Sequence, residues 1–386
     1  MFLSAKIDSS EVKYDIRLSN FITAYFFVQA LNLFVKLNLG AFPGWGYITR
    51  GILLIFLILA IKPILSRIAV GAIVSEFIVV LMLMYTLLSG GASFDLYGAS
   101  MINLIGVFMP MAISLRCISN VQLLLNKLYI ISWPTQILLL SVLVNVNNGD
   151  YSMSGGYALV LQLLIVLDHY FKEKKIYDLI VVIIDFIVIT IFGSRGPILC
   201  VFTLIALYVA FSHQLSSIKR ISLVAVCAIV SLSIFTYRIN LINLLIDLTN
   251  KWGVQSRTIR MLLSNSLVND SGRIALREYY YELINKKPII GYGLMGGWIS
   301  PDMYPHSIFV EILLSFGILL GSFLIVIMLL IAIRAVVIND DSTQRLAQIM
   351  FAYCTSLLLS GSFTSTPEFF LLIALGMKKL NIRIKT

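Results

Sequence analysis

Residues 271–317 read SGRIALREYYYELINKKPIIGYGLMGGWISPDMYPHSIFVEILLSFG, and the rest of the chain is organised around this stretch. It begins within residues 238–306, the longest polar interval of a 386-residue chain that is 59% hydrophobic and 12% charged. About a quarter of the residues of a soluble domain are charged. The composition therefore predicts an all-α polytopic membrane protein that holds the polar interval on one side of a bilayer.

Apolar segments long enough to cross a bilayer core, which takes about 20 residues, occur on both sides of this interval. Nine precede it and three follow it, which divides the chain into residues 1–237, 238–306 and 307–386. The segments lie near 19–36, 50–66, 69–88, 99–115, 121–144, 155–171, 177–193, 196–212, 220–237, 309–333, 345–361 and 364–378. We therefore expect about twelve transmembrane helices and one large loop.

The positive charges predict the orientation of these helices. With the N-terminus in the cytoplasm and the segments alternating, 18 of the 29 Lys and Arg residues fall on the cytoplasmic side. Short loops on the opposite face hold only three. Positive charge concentrates in cytoplasmic loops of membrane proteins. Both termini are therefore predicted to be cytoplasmic, and residues 238–306 to be extracytoplasmic.

Several classes of function lack their sequence signals. The excess of Lys and Arg over acids fits anchoring loops of a membrane protein better than nucleic-acid binding. The four cysteines show no CxxC spacing, and the three histidines are too few and too dispersed for a metal cluster. No GxxxxGK[ST], HExxH or loop DxD motif occurs. We expect no cofactor, no metal and no nucleic-acid partner.

Arg195 lies at a predicted membrane boundary, in the sequence GSRGP at residues 193–197. An arginine at such a place either snorkels toward lipid head groups or reaches an anionic ligand in a cavity. The glycines Gly193 and Gly196 leave room for a bulky polar group nearby, which favours the anionic ligand.

A predicted helix in the extracytoplasmic interval carries two further arginines. Asp270 or Ser271 can cap this helix, and Pro288 ends it. One face is predicted to present Arg273, Arg277, Tyr280, Tyr281 and Ile284. Arginine binds phosphate or pyrophosphate in a bidentate manner. Both arginines can also be ordinary solvated charges, and of the two we favour Arg273 as the ligand-facing one.

Other candidates for substrate binding flank this helix. An amphipathic piece at residues 239–263 carries Arg257 and Arg260 and is expected to lie on the membrane surface. Downstream, Gly291 and Gly293 allow a turn in which backbone amides approach a ligand closely. The aromatic residues of the interval can stack on sugar rings or form an interfacial belt; they are Tyr279, Tyr280, Tyr281, Tyr292, Trp298 and Tyr304.

His306 is the only histidine of the extracytoplasmic interval. It is either a structural hydrogen-bonding group or the group that handles protons, because its unperturbed pKa is near neutral. Glu311 lies just inside the tenth apolar segment, where an ionisable side chain is costly and therefore a functional suspect. It is expected to pair with an arginine or to reach back to the interface. Asp185 raises the same suspicion, whereas His169 is predicted to be structural.

The order of these motifs resembles a known family. A Ser-Arg-Gly turn, an external loop with Ser-Gly-Arg, then KPIIGYG, PHS and EIL, and finally Gly317 and Gly321, are similar to the O-antigen polymerase and O-antigen ligase superfamily (Wzy and WaaL types). The resemblance implies a GT-C-like fold in the bacterial inner membrane, with the catalytic loop in the periplasm. The family's loop arginines and histidine map onto Arg195, Arg273 and His306. Ser307 stands where the family often has Asn.

The resemblance implies a metal-independent glycosyltransferase that uses undecaprenyl-pyrophosphate-linked glycan as donor and acceptor. Arginines can neutralise the pyrophosphate leaving group, and a histidine can orient or deprotonate the acceptor hydroxyl. Our first interpretation is a polymerase of polysaccharide repeat units. The alternatives are a ligase that transfers glycan to lipid A-core and, in a different class, a flippase or transporter. Expected partners are membrane lipids and, from the same pathway, a chain-length regulator and a flippase. Substrate-binding residues are predicted to be Arg257, Arg260, Arg277, Tyr281, Gly291, Gly293, Tyr304 and Glu311.

Overall fold

The computed structural model describes residues 9–40, 44–68, 70–88, 94–145, 153–192, 195–211, 218, 273–300 and 303–378. Within these ranges every regular element is a helix, apart from one antiparallel bridge between Ser300 and Met303. The α-helices are α1 (Ser9–Phe34), α2 (Trp45–Arg67), α3 (Val70–Leu88), α4 (Phe94–Asn103), α5 (Met109–Cys117), α6 (Val121–Asn145), α7 (Met153–Glu173), α8 (Ile176–Phe192), α9 (Arg195–Phe211), α10 (Arg273–Lys286), α11 (Ile308–Val336), α12 (Asp341–Cys354) and α13 (Pro367–Met377). A π-helical turn at Val35–Leu39 extends α1, and another at Leu104–Phe108 joins α4 to α5.

Five stretches of the described helices are long and apolar enough to cross a membrane: Ser10–Leu39, Trp45–Arg67, Tyr97–Cys117, Val121–Ser141 and Ile308–Val336. Three shorter apolar helices are Phe77–Leu88, Gly196–Phe211 and Pro367–Met377. This all-helical pattern agrees with a polytopic membrane protein. The predicted segment 220–237 and the amphipathic piece 239–263, with Arg257 and Arg260, lie outside the described residues. Twelve spans and a GT-C-like fold stay predictions.

The last two predicted spans are interrupted in the structure. The segment 345–361 consists of α12 followed by a 3-10 turn at Thr355–Leu358, and the segment 364–378 contains a 3-10 turn at Phe363–Ser365 before the 11-residue α13. Between them lies the polar turn, residues 360–366 with the sequence SGSFTST. Its hydroxyls bond locally, because Ser365 Oγ and Thr366 Oγ1 both donate to the Ser362 carbonyl. Such bonds compete with a regular helix and explain the interruption.

The chain divides into two compact units. Unit 1 comprises residues 1–28, 44–128 and 272–386, and unit 2 comprises residues 29–43 and 129–271. In unit 1, α11, α12 and α13 pack on one another, α13 also packs on α5, and α10 packs on α11. In unit 2, α7 packs on both α8 and α9. The predicted three-part division of the chain stays a prediction.

A buried ion pair ties the N-terminal helix into unit 1. Arg67, the last residue of α2, donates from Nη1 to Asp15 Oδ1 at 2.6 Å and to the Cys117 carbonyl at 3.0 Å. Asp15 also accepts hydrogen bonds from the backbone amides of Ser119 and Asn120. The carboxylate is only 4% exposed, and its hydrogen bonds and ion pair offset the cost of burying the charge. This cluster fixes the ends of α1, α2 and α5 relative to one another.

Candidate active site

Arg195 and Arg273 are each the first residue of a helix, α9 and α10 respectively. The structure describes their backbones. Arg195, Gly196 and Pro197 belong to the first turn of α9, so the connection from α8 is shorter than the predicted GSRGP turn. Proline fits there because the first turn needs no amide donor. Helix N-termini carry unpaired amides and partial positive charge, which favour anionic ligands.

The space beside Gly196 is filled by a tyrosine of unit 2. A Cβ atom on Gly196 would lie 1.9 Å from the hydroxyl oxygen of Tyr157, which belongs to α7. The glycine therefore does leave room for a bulky polar group, as the sequence predicts, and that group is a side chain of the protein itself. The same close approach explains how α9 packs on α7.

The face of α10 that the sequence predicts is divided between core and surface. Tyr280 and Ile284 are buried against Val310 and Leu314 of α11. The Tyr280 hydroxyl donates to the Met303 carbonyl. Its burial raises its pKa to about 12. A side chain with no exposed surface cannot stack on a sugar, so that expectation is wrong for Tyr280.

Two predicted substrate-binding residues of α10 lie outside this core. Tyr281 is 48% exposed, and Arg277 is partly buried. Both can therefore be reached from solvent, Tyr281 more so than Arg277. Their roles in substrate binding stay predictions.

A break in α11 receives the loop that follows α10. The helix α10 ends at Lys286, as Pro288 predicts, and α11 departs from helical geometry at Gly317, where φ is 76° and ψ is 177°. Because of the break, the amide of Ile318 donates to the Pro288 carbonyl at 2.6 Å. The carbonyls of Leu314 and Ser315 instead accept from residues 292 and 293, both at 2.9 Å.

This pairing requires glycine at both predicted ligand-binding positions of the loop. A Cβ atom on Gly291 would lie 2.6 Å from backbone atoms of Ser315 and Gly317, and one on Gly293 would lie 2.1 Å from Thr86 Oγ1. Both glycines also have positive φ, of 71° and 81°. The Gly293 amide, expected to approach a ligand, donates to α11. The structure thus gives these glycines a packing function, and their contact with substrate stays a prediction.

The direction of α10 relative to α11 follows from these contacts. Tyr280 bonds to Met303, and Pro288 bonds to Ile318, so both helices advance in the same direction. Their N-terminal ends therefore lie at the same end of unit 1. Arg273 begins one of these helices, and His306 stands two residues before the other.

His306 is held in an unusual conformation before α11. Its φ of 52° lies in the left-handed region, which is uncommon for a residue other than glycine. The Tyr304 ring lies 4.1 Å from the His306 ring between centroids, and Trp298 lies 5.4 Å from Tyr304 on the same measure. The residue as a whole remains partly exposed. A strained, partly exposed residue next to an aromatic cluster is a reasonable candidate for a functional group.

Glu311 makes neither of the contacts expected from the sequence. It is fully buried and accepts hydrogen bonds from the Ser362 hydroxyl, the Phe363 amide at 3.1 Å and the Thr364 hydroxyl at 3.4 Å. Its described partners therefore all belong to the polar turn, and none of them is an arginine. The polar turn contacts Glu311 of α11 although it lies 51 residues further along the chain. The sequence signal for this contact, the hydroxyl-rich run SGSFTST, lies where one predicted span gives way to the next.

Comparison with known proteins finds one matching family. Residues 180–325 match the family described as O-antigen ligase. The chain therefore contains a region similar to the O-antigen ligase and polymerase superfamily. The match contains Arg195, Arg273, His306 and Glu311, and it supports a role as a membrane glycosyltransferase in surface-polysaccharide synthesis. No curated protein and no solved structure gave a significant match.

Proposed function

We propose that this protein polymerises oligosaccharide repeat units carried on undecaprenyl pyrophosphate, forming O-antigen or a related surface polysaccharide. The reaction takes place on the periplasmic face of the inner membrane. The observation that carries the proposal is the common direction of α10 and α11, which puts Arg273 and His306 at one end of unit 1. A cation suited to pyrophosphate and a group suited to proton transfer begin neighbouring helices.

The proposed reaction is a single displacement with inversion. The acceptor hydroxyl attacks the anomeric carbon of the donor sugar, and the bond from that carbon to the pyrophosphate oxygen breaks. His306 takes the proton from the hydroxyl. Arg273 neutralises the charge that develops on the leaving pyrophosphate, helped by the N-terminal amides of α10. Arg195 is assigned the same role from the family resemblance.

A ligase is the second candidate, because the matching family is described as O-antigen ligase. It would use the same donor and transfer finished glycan to lipid A-core. A flippase or transporter is the third candidate and differs in that it forms no glycosidic bond. If the protein is a flippase or transporter, cells should still form the glycan product when the arginines and the histidine are replaced.

Surface glycan on a gel separates these functions. Cells lacking the gene are complemented with the wild type, with Arg273→Ala, with His306→Ala, or with the control Glu282→Gln, an exposed residue of α10. A polymerase loses the long-chain ladder in both alanine variants and keeps a single repeat on the core. A ligase loses every repeat from the core while long glycan stays on undecaprenyl pyrophosphate. An intact ladder in both variants, at equal membrane level, contradicts both catalytic functions.

A further inference from the structure

A layer of polar side chains, one buried and two half-buried, connects three helices of unit 2. Asp178 of α8 is fully buried and accepts a hydrogen bond from the Tyr129 hydroxyl of α6 at 2.8 Å. It also pairs with His169 Nδ1 of α7 at 2.7 Å. The rings of Tyr129 and His169 stack with 3.6 Å between centroids. We call these three residues the first layer, and their contacts fix how the three helices meet.

The first layer sets the register of the α7–α8 hairpin. Only residues 174 and 175 separate these helices, so they run antiparallel. Side chains seven residues apart share one face of a helix, about 10 Å apart along its axis. Seven residues before His169 is Gln162, and seven residues after Asp178 is Asp185. Gln162 therefore opposes Asp185 as His169 opposes Asp178.

The same step on α6 reaches a third polar residue. Seven residues after Tyr129 is Gln136, and the face around it is buried, since Ser132 and Leu139 have no exposed surface. By this register, and with α6 remaining one continuous helix across Pro134, Gln136, Gln162 and Asp185 are placed in a second layer, two turns further into unit 2 than the first.

The second layer is buried without internal hydrogen bonds. Gln136 is 2% exposed, Gln162 is 3% exposed and Asp185 is not exposed at all. Within the described part of the chain, no partner is present for Asp185 Oδ1 and Oδ2, for Gln162 Oε1, or for Gln136 Oε1 and Nε2. Buried polar atoms nearly always have partners, and an uncompensated buried carboxylate is especially unfavourable. The layer therefore presents four oxygen acceptors and one formal negative charge to a ligand.

We propose that the second layer binds one monovalent metal cation, sodium or potassium. Carboxylate and amide oxygens are hard ligands that suit such ions and do not favour zinc or copper. A single positive charge balances the single carboxylate, whereas a divalent ion would leave an excess charge in an apolar surrounding. The amide of Gln136 adds one N–H donor, which can satisfy a carboxylate oxygen that does not contact the ion. The site is independent of the proposed glycosyl transfer.

The test uses the purified full chain in detergent, with sodium, potassium or choline chloride at equal ionic strength. The midpoint of thermal unfolding should be higher in sodium or potassium than in choline, rising by about 2 °C for each tenfold increase in the concentration of the free cation once the site is saturated. The protein should also retain radioactive sodium or, as a potassium probe, rubidium. Equal midpoints in the three salts, with no retained cation, would overturn the proposal.

Three variants assign the effect to the second layer. Asp185→Asn should abolish both the salt-specific shift and the retained cation, and Gln162→Leu should weaken both. The matched control Asp178→Asn removes a buried carboxylate of the first layer, so it should lower the midpoint yet keep the shift. If the wild type and Asp185→Asn differ only in their response to pH, a proton neutralises Asp185 and the metal site is refuted. If Asp185→Asn does not fold, the wild-type salt comparison and Gln162→Leu still decide.

Discussion

The Tyr304 hydroxyl accepts a hydrogen bond from the backbone amide of Gly361 at 3.1 Å. This bond joins the residue two positions before His306 to the polar turn, which also holds the buried carboxylate of Glu311. The aromatic ring that contacts the His306 imidazole is thus anchored from the C-terminal part of unit 1. We therefore expect Tyr304 to position His306.

Removing this hydroxyl should lower glycan formation without unfolding the protein. Tyr304→Phe keeps the ring contact with His306 and loses one hydrogen bond, which is worth about 1 kcal/mol, or roughly a fivefold change in rate if it acts fully on catalysis. Tyr304→Ala loses the ring as well and should be more severe. The rate of long-chain glycan formation in membranes measures both. Tyr47→Phe, at an exposed tyrosine of α2, should match the wild type; an equal loss there would contradict the positioning role.

Two substitutions at His306 should differ in unfolding stability while having the same effect on activity. Glycine adopts positive φ freely, and a left-handed conformation costs an alanine about 1 kcal/mol. His306→Gly should therefore be about 1 kcal/mol more stable to unfolding than His306→Ala, while both lack glycan-forming activity. Thermal unfolding in detergent and the glycan gel are the two measurements. Activity close to wild type in either variant would remove His306 from the mechanism.

Packing at Gly293 should be intolerant of even one methyl group. Gly293→Ala brings its Cβ to 2.1 Å from Thr86 Oγ1 at a backbone φ of 81°, and both effects oppose folding. We expect a loss of about 2 kcal/mol or more in the free energy of unfolding. The matched control is Gly46→Ala on α2, where no described atom outside the adjoining residues and the local helix backbone lies within 4 Å of the added Cβ. That substitution should be neutral or slightly stabilising, because alanine favours a helix more than glycine does.

Asp340 should stabilise α12 in a pH-dependent manner. Burial opposes ionisation of this carboxylate, yet hydrogen bonds from Thr343 and Ser342 leave its pKa below the ordinary value. Its side chain caps α12 by accepting from the Thr343 amide at 2.9 Å. Asp340→Ala should cost about 1 kcal/mol at neutral pH.

The sign of this pH dependence follows from the lowered pKa. The stabilisation by the charged form is complete above the unfolded value near 3.9, and it is lost as the pH falls through the folded value. The difference in unfolding midpoint between the wild type and Asp340→Ala should therefore shrink in acid. Asp340→Asn, which also caps helices, should lose less at neutral pH and vary less with pH. A difference that grows in acid would contradict the assignment.

Sequence patterns predicted the helices of this chain more readily than their irregularities. The long apolar runs of α2, α6 and α11, and the end of α10 before Pro288, follow from local rules of length and of proline geometry. The break at Gly317 does not, because its sequence, SFGILLG, also suits a continuous apolar helix. The break depends on hydrogen bonds to residues 288–293, which are distant in sequence.

In the candidate site, too, local sequence patterns predicted the residues but not the contacts between distant parts of the chain. His306 and Arg273 stood out from residue type and position, and their common end of unit 1 depends on the direction of α10, which the sequence leaves open. The partners of Glu311 come from the polar turn. In the sequence, the Ser and Thr residues of this turn look like the polar residues that commonly end a membrane span. Nothing in the local sequence of Asp185 reveals Gln162 or Gln136 either, and only the register of three packed helices brings them together.

The main chains at Gly291 and Gly317 lie so close together that neither residue has space for a side chain. A Cβ atom on Gly291 would lie 2.6 Å from the Gly317 amide nitrogen, and one on Gly317 would lie 2.5 Å from the Ile289 carbonyl oxygen. Mutations at these two positions cannot be accepted one at a time by small adjustments, since the obstacle in each case is the other residue's backbone or that of its neighbours. We therefore expect the two positions to change together rather than singly. In diverging relatives both glycines should persist together, or both should be lost along with the interruption of the helix.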